Sequence, residues 1–222
     1  MGVNFPVIIV NFKAYESALG EGAALLARLH DQVAKETGAS LGIAVSSLDL
    51  GNLASKVSIP VFTQHVDPVE YGARTGQMPP VAVKQFGAFG TLLNHAERRL
   101  PLEILQKTIE TCRSAGLFTL VCAESPEKVQ EILAFKPDAI AYEPPELIGG
   151  NVSVSQAQPE VIARVVAIAG ATPLFVGAGV KTEQDVRVSL QLGARGVLLA
   201  SGVTLAPNPE DVLRQLVKGT IS

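Results

Sequence analysis

The chain has no tryptophan, and among its 222 residues only 2 cysteines and 3 histidines; each shortage removes a class of explanation. Cys112 falls in a helical pattern and Cys122 in an apolar strand pattern, which argues against a disulfide framework, and both are expected to be reduced structural thiols, as in a cytoplasmic protein. His30, His65 and His95 form no i, i+4 pair and meet no carboxylate cluster at ligand spacing, which argues against a bound metal. Positive charge is not in excess either. The formal net charge of −3 speaks against a nucleic-acid surface, which needs a basic patch or stripe, so any bound anion must be gripped locally. No apolar run approaches the roughly 20 residues that span a bilayer, and the first residues, Met1 to Asn11, lack a basic leader and read as a first strand, not a signal peptide.

What remains is a core-forming composition. Apolar residues make up 47% and charged residues 18%, enough for a large core and unlike a disordered chain. The length exceeds a common domain but falls within the roughly 200–250 residues of single α/β barrels, so residues 1–222 are expected to form one domain. Short runs rich in Val, Ile, Leu and Phe recur at Val7–Val10, Leu41–Val45, Val61–Gln64, Phe89–Leu93, Phe118–Cys122, Ala139–Tyr142, Leu174–Val176 and Gly196–Leu199. Helix-period segments lie between them, such as Leu19–Thr37 and Pro101–Ala115, with Pro101 at a plausible first helical position and Gly38, Gly116, Gly170 and Gly193 where helix ends are capped. Eight strand and helix alternations predict an α/β fold closed as a (β/α)8 barrel, since right-handed crossovers keep the strands parallel and closure removes the sheet edges. An open doubly wound sheet is the runner-up, but no G-x-G-x-x-G follows the first strand.

One connection is too long for a βα loop. His65 to Pro80, with Tyr71, Thr75, Gly76 and Met78, is expected to fold over a site or dock on another subunit, with Tyr71 and Met78 as its buried anchors.

Polar residues gather where strands end. Strand alternation aims Asn11 and Lys13 the same way after the first strand, bringing an amide and a cation to one mouth. His95 leaves the fourth strand, followed by Glu97, and a neutral imidazole there could donate to an oxyanion; a packed structural histidine is the alternative. Glu143 ends the sixth strand and opens the segment Glu143-Pro144-Pro145-Glu146-Leu147-Ile148-Gly149-Gly150. A carboxylate at that place suits proton abstraction under a moving lid; taken alone, the segment equally admits Glu143 as a cap of the next helix. Gly177-Ala178-Gly179 and Leu199-Ala200-Ser201-Gly202 leave the last two strands as small-residue turns, together a cradle for a dianion, to which Gly149 and Gly150 could add an N–H group.

Taken in order, Asn11-Phe12-Lys13, Gln64-His65-Val66-Asp67-Pro68, Asn94-His95-Ala96-Glu97-Arg98-Arg99, Tyr142 to Gly149, Gly177-Ala178-Gly179 and Ala200-Ser201-Gly202 resemble the triosephosphate isomerase family, in its compact archaeal branch. The resemblance implies interconversion of dihydroxyacetone phosphate and glyceraldehyde 3-phosphate through an enediolate, in glycolysis and gluconeogenesis, without metal or organic cofactor. It implies Glu143 as the base, His95 as the neutral electrophile and Lys13 as the complement of enediolate and phosphate charge. Asn11 would place the substrate, and Ile148, Gly149, Gly179, Ala200 and Ser201 match the phosphate-holding positions. Glu97 resembles the residue that steadies Lys13, and the Thr75-Gly76 loop resembles one that inserts into a neighbouring subunit, implying a homodimer or a homotetramer. Two departures stand out: Ala96 where the family commonly has serine, and Gly149-Gly150-Asn151 where Gly-Thr-Gly is usual. A Schiff-base aldolase on the same barrel would want a lysine within a late strand, which the fifth to seventh runs lack, and a catalytically dead binding protein would not need Glu143, His95 and Lys13 together.

Overall fold

In the computed structural model, which describes residues 3–148 and 153–221, the eight apolar runs are eight parallel strands: β1 (Val7–Asn11), β2 (Ser40–Val45), β3 (Val61–Thr63), β4 (Gly90–Leu93), β5 (Phe118–Ala123), β6 (Ala139–Tyr142), β7 (Leu174–Gly177) and β8 (Gly196–Leu199). They pair in chain order and β8 pairs back to β1, with Ile8 opposite Leu41 on one side and Val197 on the other, so the sheet is a closed barrel. Around it run the helices α1 (Glu21–Thr37), α2 (Leu50–Ala54), α3 (Pro80–Gln85), α4 (Leu102–Ser114), α5 (Pro126–Leu133), α6 (Val154–Ala157), α7 (Pro159–Ala169), α8 (Glu183–Gln191), α9 (Ser201–Thr204) and α10 (Pro209–Lys218). Among the described residues no helix is long and apolar enough to cross a membrane.

The boundaries differ from the sequence expectation for local reasons. α1 begins at Glu21, not Leu19, because Gly20 turns at φ 55 and gives its N–H to the Asp49 carboxylate at 3.2 Å. Pro101 stands just before the first residue of α4, with ψ 143, outside the helix rather than in its first turn. Gly38, Gly116, Gly170 and Gly193 all sit past helix ends at positive φ, as their spacing predicted.

Because side chains alternate across a strand, the strands feed two cores. Ile8, Val10, Leu41 and Ile43 point outward and pack beneath the helices, while Val7, Ile9, Ala44, Phe62, Leu92, Leu120, Ala141, Phe175 and Leu198 fill the barrel. The interior is packed by setting rings against glycines. A Cβ on Gly90 would lie 2.6 Å from the Phe62 ring, and one on Gly196 would lie 2.8 Å from the Phe175 ring. Each phenylalanine therefore occupies space that a neighbouring strand leaves open, and an interior filled to crystalline density cannot absorb an added methyl group without strain.

α1 buries His30 completely, 5.5 Å from the Phe12 ring. Its Nδ1 lies 2.6 Å from the Leu26 carbonyl, which can only accept, so Nδ1 carries the proton and the buried Nε2 is a lone pair without a partner among the described residues. Protonating Nε2 would bury a second N–H with no acceptor, and burial accordingly lowers the pKa to about 4. The unfolded chain takes up this proton near pH 6.5 and the folded chain only near 4, so the contribution is intact above pH 6.5 and lost on acidification between these values. That window corresponds to about 2.5 kcal/mol. Urea titrations of the native chain and of His30→Leu are expected to show the variant losing about that much less stability between pH 6.5 and 4; equal losses would contradict it.

Candidate active site

The alternation that fills the barrel also decides which residues crown it. Two residues beyond Ile9, Phe62, Ala141, Phe175 and Leu198 come Asn11, Gln64, Glu143, Gly177 and Ala200, all at the C-terminal end where the strands converge. Asn11 Oδ1 accepts from the backbone N–H of Lys13 at 3.0 Å and from Gln64 Nε2 at 3.1 Å. Gln64 Nε2 also lies 3.0 Å from the Lys13 carbonyl oxygen. These contacts hold Lys13 at φ 50, a left-handed conformation that costs a non-glycine residue about 1–2 kcal/mol. The turn keeps the lysine over the mouth, where its Nζ meets Glu97 Oε1 at 2.6 Å.

His95 is outside the inward alternation and arrives by a turn. Asn94 adopts φ 58, donates through Nδ2 to the Cys122 carbonyl at 3.0 Å and accepts the Leu100 N–H at 3.0 Å. The following imidazole is thereby set over the cavity, 8% exposed. Its Nδ1 accepts the backbone N–H of Glu97 at 3.2 Å. A backbone N–H can only donate, so the proton of the neutral ring is on Nε2, the nitrogen that faces Glu143.

Glu143 is not a helix cap. The 3-10 turn that follows, Pro145–Leu147, has no side-chain cap, and the Glu143 N–H continues the ladder to the Ala123 carbonyl at 2.9 Å. Glu143 is 7% exposed; among the described residues its Oε2 has no hydrogen-bond partner, and it lies 3.9 Å from His95 Nε2. Such an acceptor is costly to leave unmet and marks a group held ready for something else. Ala96, lacking a hydroxyl, supplies no bond to it. Gly177 makes the seat possible: a Cβ there would lie 2.4 Å from Glu143 Cγ and 2.6 Å from Oε1. Beneath it, burial first, then the charge of Glu143 and a hydrogen bond with it, push the Cys122 thiol well up, and burial pushes Cys112 up to about 12. Both thiols are free and buried.

One cavity of about 50 Å³ is lined by Asn11, Lys13, His95, Glu143, Ile148, Gly179, Ala200 and Ser201, so eight of the sequence-chosen residues meet. Ala178 and Gly179 both turn at positive φ, 70 and 71. α9 is a single turn of 4 residues, too short for a sizeable dipole, so on that side backbone groups and not a helix macrodipole face a ligand. A second cavity of about 320 Å³ shares Asn11, Lys13 and His95 and adds Gln64, Glu97 and Gly76. Thr75 lines neither and is exposed with the rest of residues 71–77. Tyr71, expected to be buried, is 63% exposed, whereas Met78 packs on the core, because Asp67 ties the loop only at its base, to the Met78 N–H at 2.7 Å. Gly149, with Gly150 and Asn151, lies outside the described residues. Among the described residues no group of three His, Cys, Asp or Glu is arranged to hold a metal ion. Strand-end chemistry alone assigns no role to Gln64 or Asn94 and no clearance role to Gly177; their two-residue spacing from Phe62, Leu92 and Phe175 is the signal that finds them.

A family model described as triosephosphate isomerase matches residues 6–218. Among curated relatives, the chain is 44% identical over 220 residues to the triosephosphate isomerase of Methanopyrus kandleri, covering 96% of this chain and 97% of that protein. It is 42% identical over 215 residues to that of Archaeoglobus fulgidus, covering 95% and 96%, and 39% identical over 219 residues to that of Saccharolobus solfataricus, covering 97% and 96%.

Gly177→Ala is expected to leave the barrel folded, with an unchanged circular dichroism spectrum, and to expel the carboxylate from its seat. A crystal structure of the variant with Glu143 Oε2 still within about 4 Å of His95 Nε2 would contradict the clearance argument.

Proposed function

Because the chain belongs to the triosephosphate isomerase family, we propose that it interconverts dihydroxyacetone phosphate and D-glyceraldehyde 3-phosphate, with Glu143, His95 and Lys13 as its catalytic residues. The observation that carries the assignment of roles is the pair of unspent groups at the mouth: an unpartnered Glu143 Oε2 and a His95 Nε2–H 3.9 Å apart.

The reaction moves one proton between adjacent carbons and one between the oxygens those carbons carry. Glu143 takes the proton from the carbon beside the carbonyl, and the electron pair of the breaking C–H bond forms the C=C bond of an enediolate. His95 Nε2–H donates to the carbonyl oxygen as negative charge gathers on it, and Lys13, in the same cavity, offsets the charge of the enediolate and of the phosphate. Protonated Glu143 then returns the proton to the neighbouring carbon while the hydroxyl proton of the first carbon passes, by way of His95 Nε2, to the former carbonyl oxygen, and the other triose phosphate leaves. Asn11 places the substrate; its Oδ1 is already occupied by Lys13 and Gln64, which leaves the Nδ2 donors for the ligand. Ile148, Gly179, Ala200 and Ser201 line the cavity that takes the phosphate, and Gly149 is assigned to the same ligand by its match to the family's phosphate-holding positions. Glu97 fixes the lysine ammonium and, through its N–H, the histidine tautomer. No metal or organic cofactor enters these steps.

The same reading gives the protein a place in glycolysis and gluconeogenesis, in the cytoplasm, and makes it a homodimer or homotetramer. The exposed loop bearing Tyr71 and Thr75, and the open cavity beside Lys13, are the surfaces that a second copy would cover.

A coupled assay is expected to show rapid isomerisation by the native chain and a loss of about three orders of magnitude in kcat for Glu143→Gln; a variant within ten-fold of the native chain would remove Glu143 from the role of base. Light scattering is expected to give twice or four times the chain mass of 23.3 kDa, and Thr75→Glu to lower both mass and activity. An active native monomer would overturn the assembly.

A further inference from the structure

Asp185 lies in α8, away from the reacting groups, yet it is 2% exposed and its carboxylate gathers more donors than any cap requires. Oδ2 accepts from the backbone N–H of Lys181 at 3.1 Å, from that of Thr182 at 2.9 Å and from the Thr182 hydroxyl at 2.8 Å. Together with the Asp185 N–H donating to Thr182 Oγ1 this is a capping box that starts α8. Oδ1 has no part in the box. It accepts from Ser153 Oγ at 2.6 Å and from Gln156 Nε2 at 2.6 Å, residues about thirty positions earlier, where the chain that leaves the Glu143 strand enters α6. A backbone bond joins the same two regions, from the Val154 N–H to the Ala178 carbonyl at 3.3 Å.

What lies between these ties is the wall of the small cavity, Ala178-Gly179-Val180-Lys181. Ala178 is held there at φ 70, a conformation an alanine keeps only where its surroundings impose it. Burial opposes the charge on Asp185, but the hydrogen bonds from Ser153 first, then Lys181, Thr182 and Gln156, hold its carboxyl below the usual range. A buried anion behind an anion-binding wall would repel the ligand if it were not itself saturated with donors. Five donors neutralise it locally, and in doing so they fix the backbone on both sides of the wall.

We propose that Asp185 is a positioning residue for anion recognition: it ties Ser153 and Gln156 of one βα connection to the backbone of Lys181 and Thr182 of the next, holding the Ala178–Lys181 wall in the geometry that receives a phosphate. This rests on the isomerase reading, in which the anion is the phosphate of the substrate, and it adds to that reading a residue that never touches the ligand. Its consequence is selectivity. Loosening the wall penalises a phosphorylated substrate, while the proton transfer between Glu143 and an unphosphorylated triose feels it less.

The test compares native chain, Asp185→Asn and Ser153→Ala by kcat/KM for D-glyceraldehyde 3-phosphate, kcat/KM for D-glyceraldehyde, and calorimetric affinity for inorganic phosphate. In Asp185→Asn the first is expected to fall about ten-fold more than the second, with a matching loss of phosphate affinity. Ser153→Ala leaves the capping box whole and is expected to shift the same ratio and the same affinity by about three-fold, which keeps the idea open to refutation if Asp185→Asn does not fold. Equal falls for both substrates, or phosphate affinity unchanged in a folded Ser153→Ala, would make Asp185 a structural cap and overturn the proposal. A native chain that binds phosphate without isomerising would overturn the isomerase reading instead, and the phosphate affinities of the variants would still decide the role of Asp185.

Discussion

Closure of a parallel sheet with a two-residue side-chain period is the constraint on which everything else depends. Once β8 hydrogen-bonds to β1, every inward-facing residue must share one interior, and the next inward position beyond each strand must share one mouth. The interior is made tight by phenylalanines set against strand glycines, so the register of one strand is read by its neighbours: slipping β3 by a residue would carry Phe62 away from Gly90 and out of the barrel. Rigidity there is what lets groups that follow β1, β3, β4, β6, β7 and β8 meet around the cavities at the top.

At that mouth the structure accepts local costs for chemical readiness. Lys13 and Asn94 are non-glycine residues with positive φ, and Glu143 keeps a buried carboxylate oxygen without a partner among the described residues. Each cost has an identifiable compensation. Gln64 holds the Lys13 turn, the Cys122 carbonyl and the Leu100 N–H hold Asn94, and the missing Cβ of Gly177 gives the carboxylate its seat. Strain is carried in the backbone at the mouth, while the side chains of Glu143 and His95 that line the cavity stay available.

The alternation of apolar runs with helix-period segments placed all eight strands to within one residue at either end, because a strand buried on both faces has few polar residues to obscure it. Asn11, Lys13, His95, Glu143, Ile148, Gly179, Ala200 and Ser201 were legible as strand-end residues and do share a cavity. Less legible were the supports. Apart from the Leu100 N–H on Asn94, Gln64, Asn94 and Gly177 act through contacts with residues 20 to 53 positions away, and only their two-residue spacing from an inward-facing strand residue marks them. Tyr71 shows the same limit: whether its ring is buried depends on what the loop packs on, and in the single chain the loop is tied at its base by Asp67 and Met78.

By itself the sequence determined that this is a closed α/β barrel with an amide, a cation, an imidazole and a carboxylate at its strand ends, because hydrophobic periodicity and strand termini are local properties. Tertiary structure alone decided which nitrogen of His95 carries the proton, which oxygen of Glu143 stays unmet, and that Asp185 joins two successive connections behind the cavity wall. Those outcomes depend on where a backbone N–H, a vacant Cβ position or a distant serine comes to rest, and only closure of the barrel brings such groups within bonding reach.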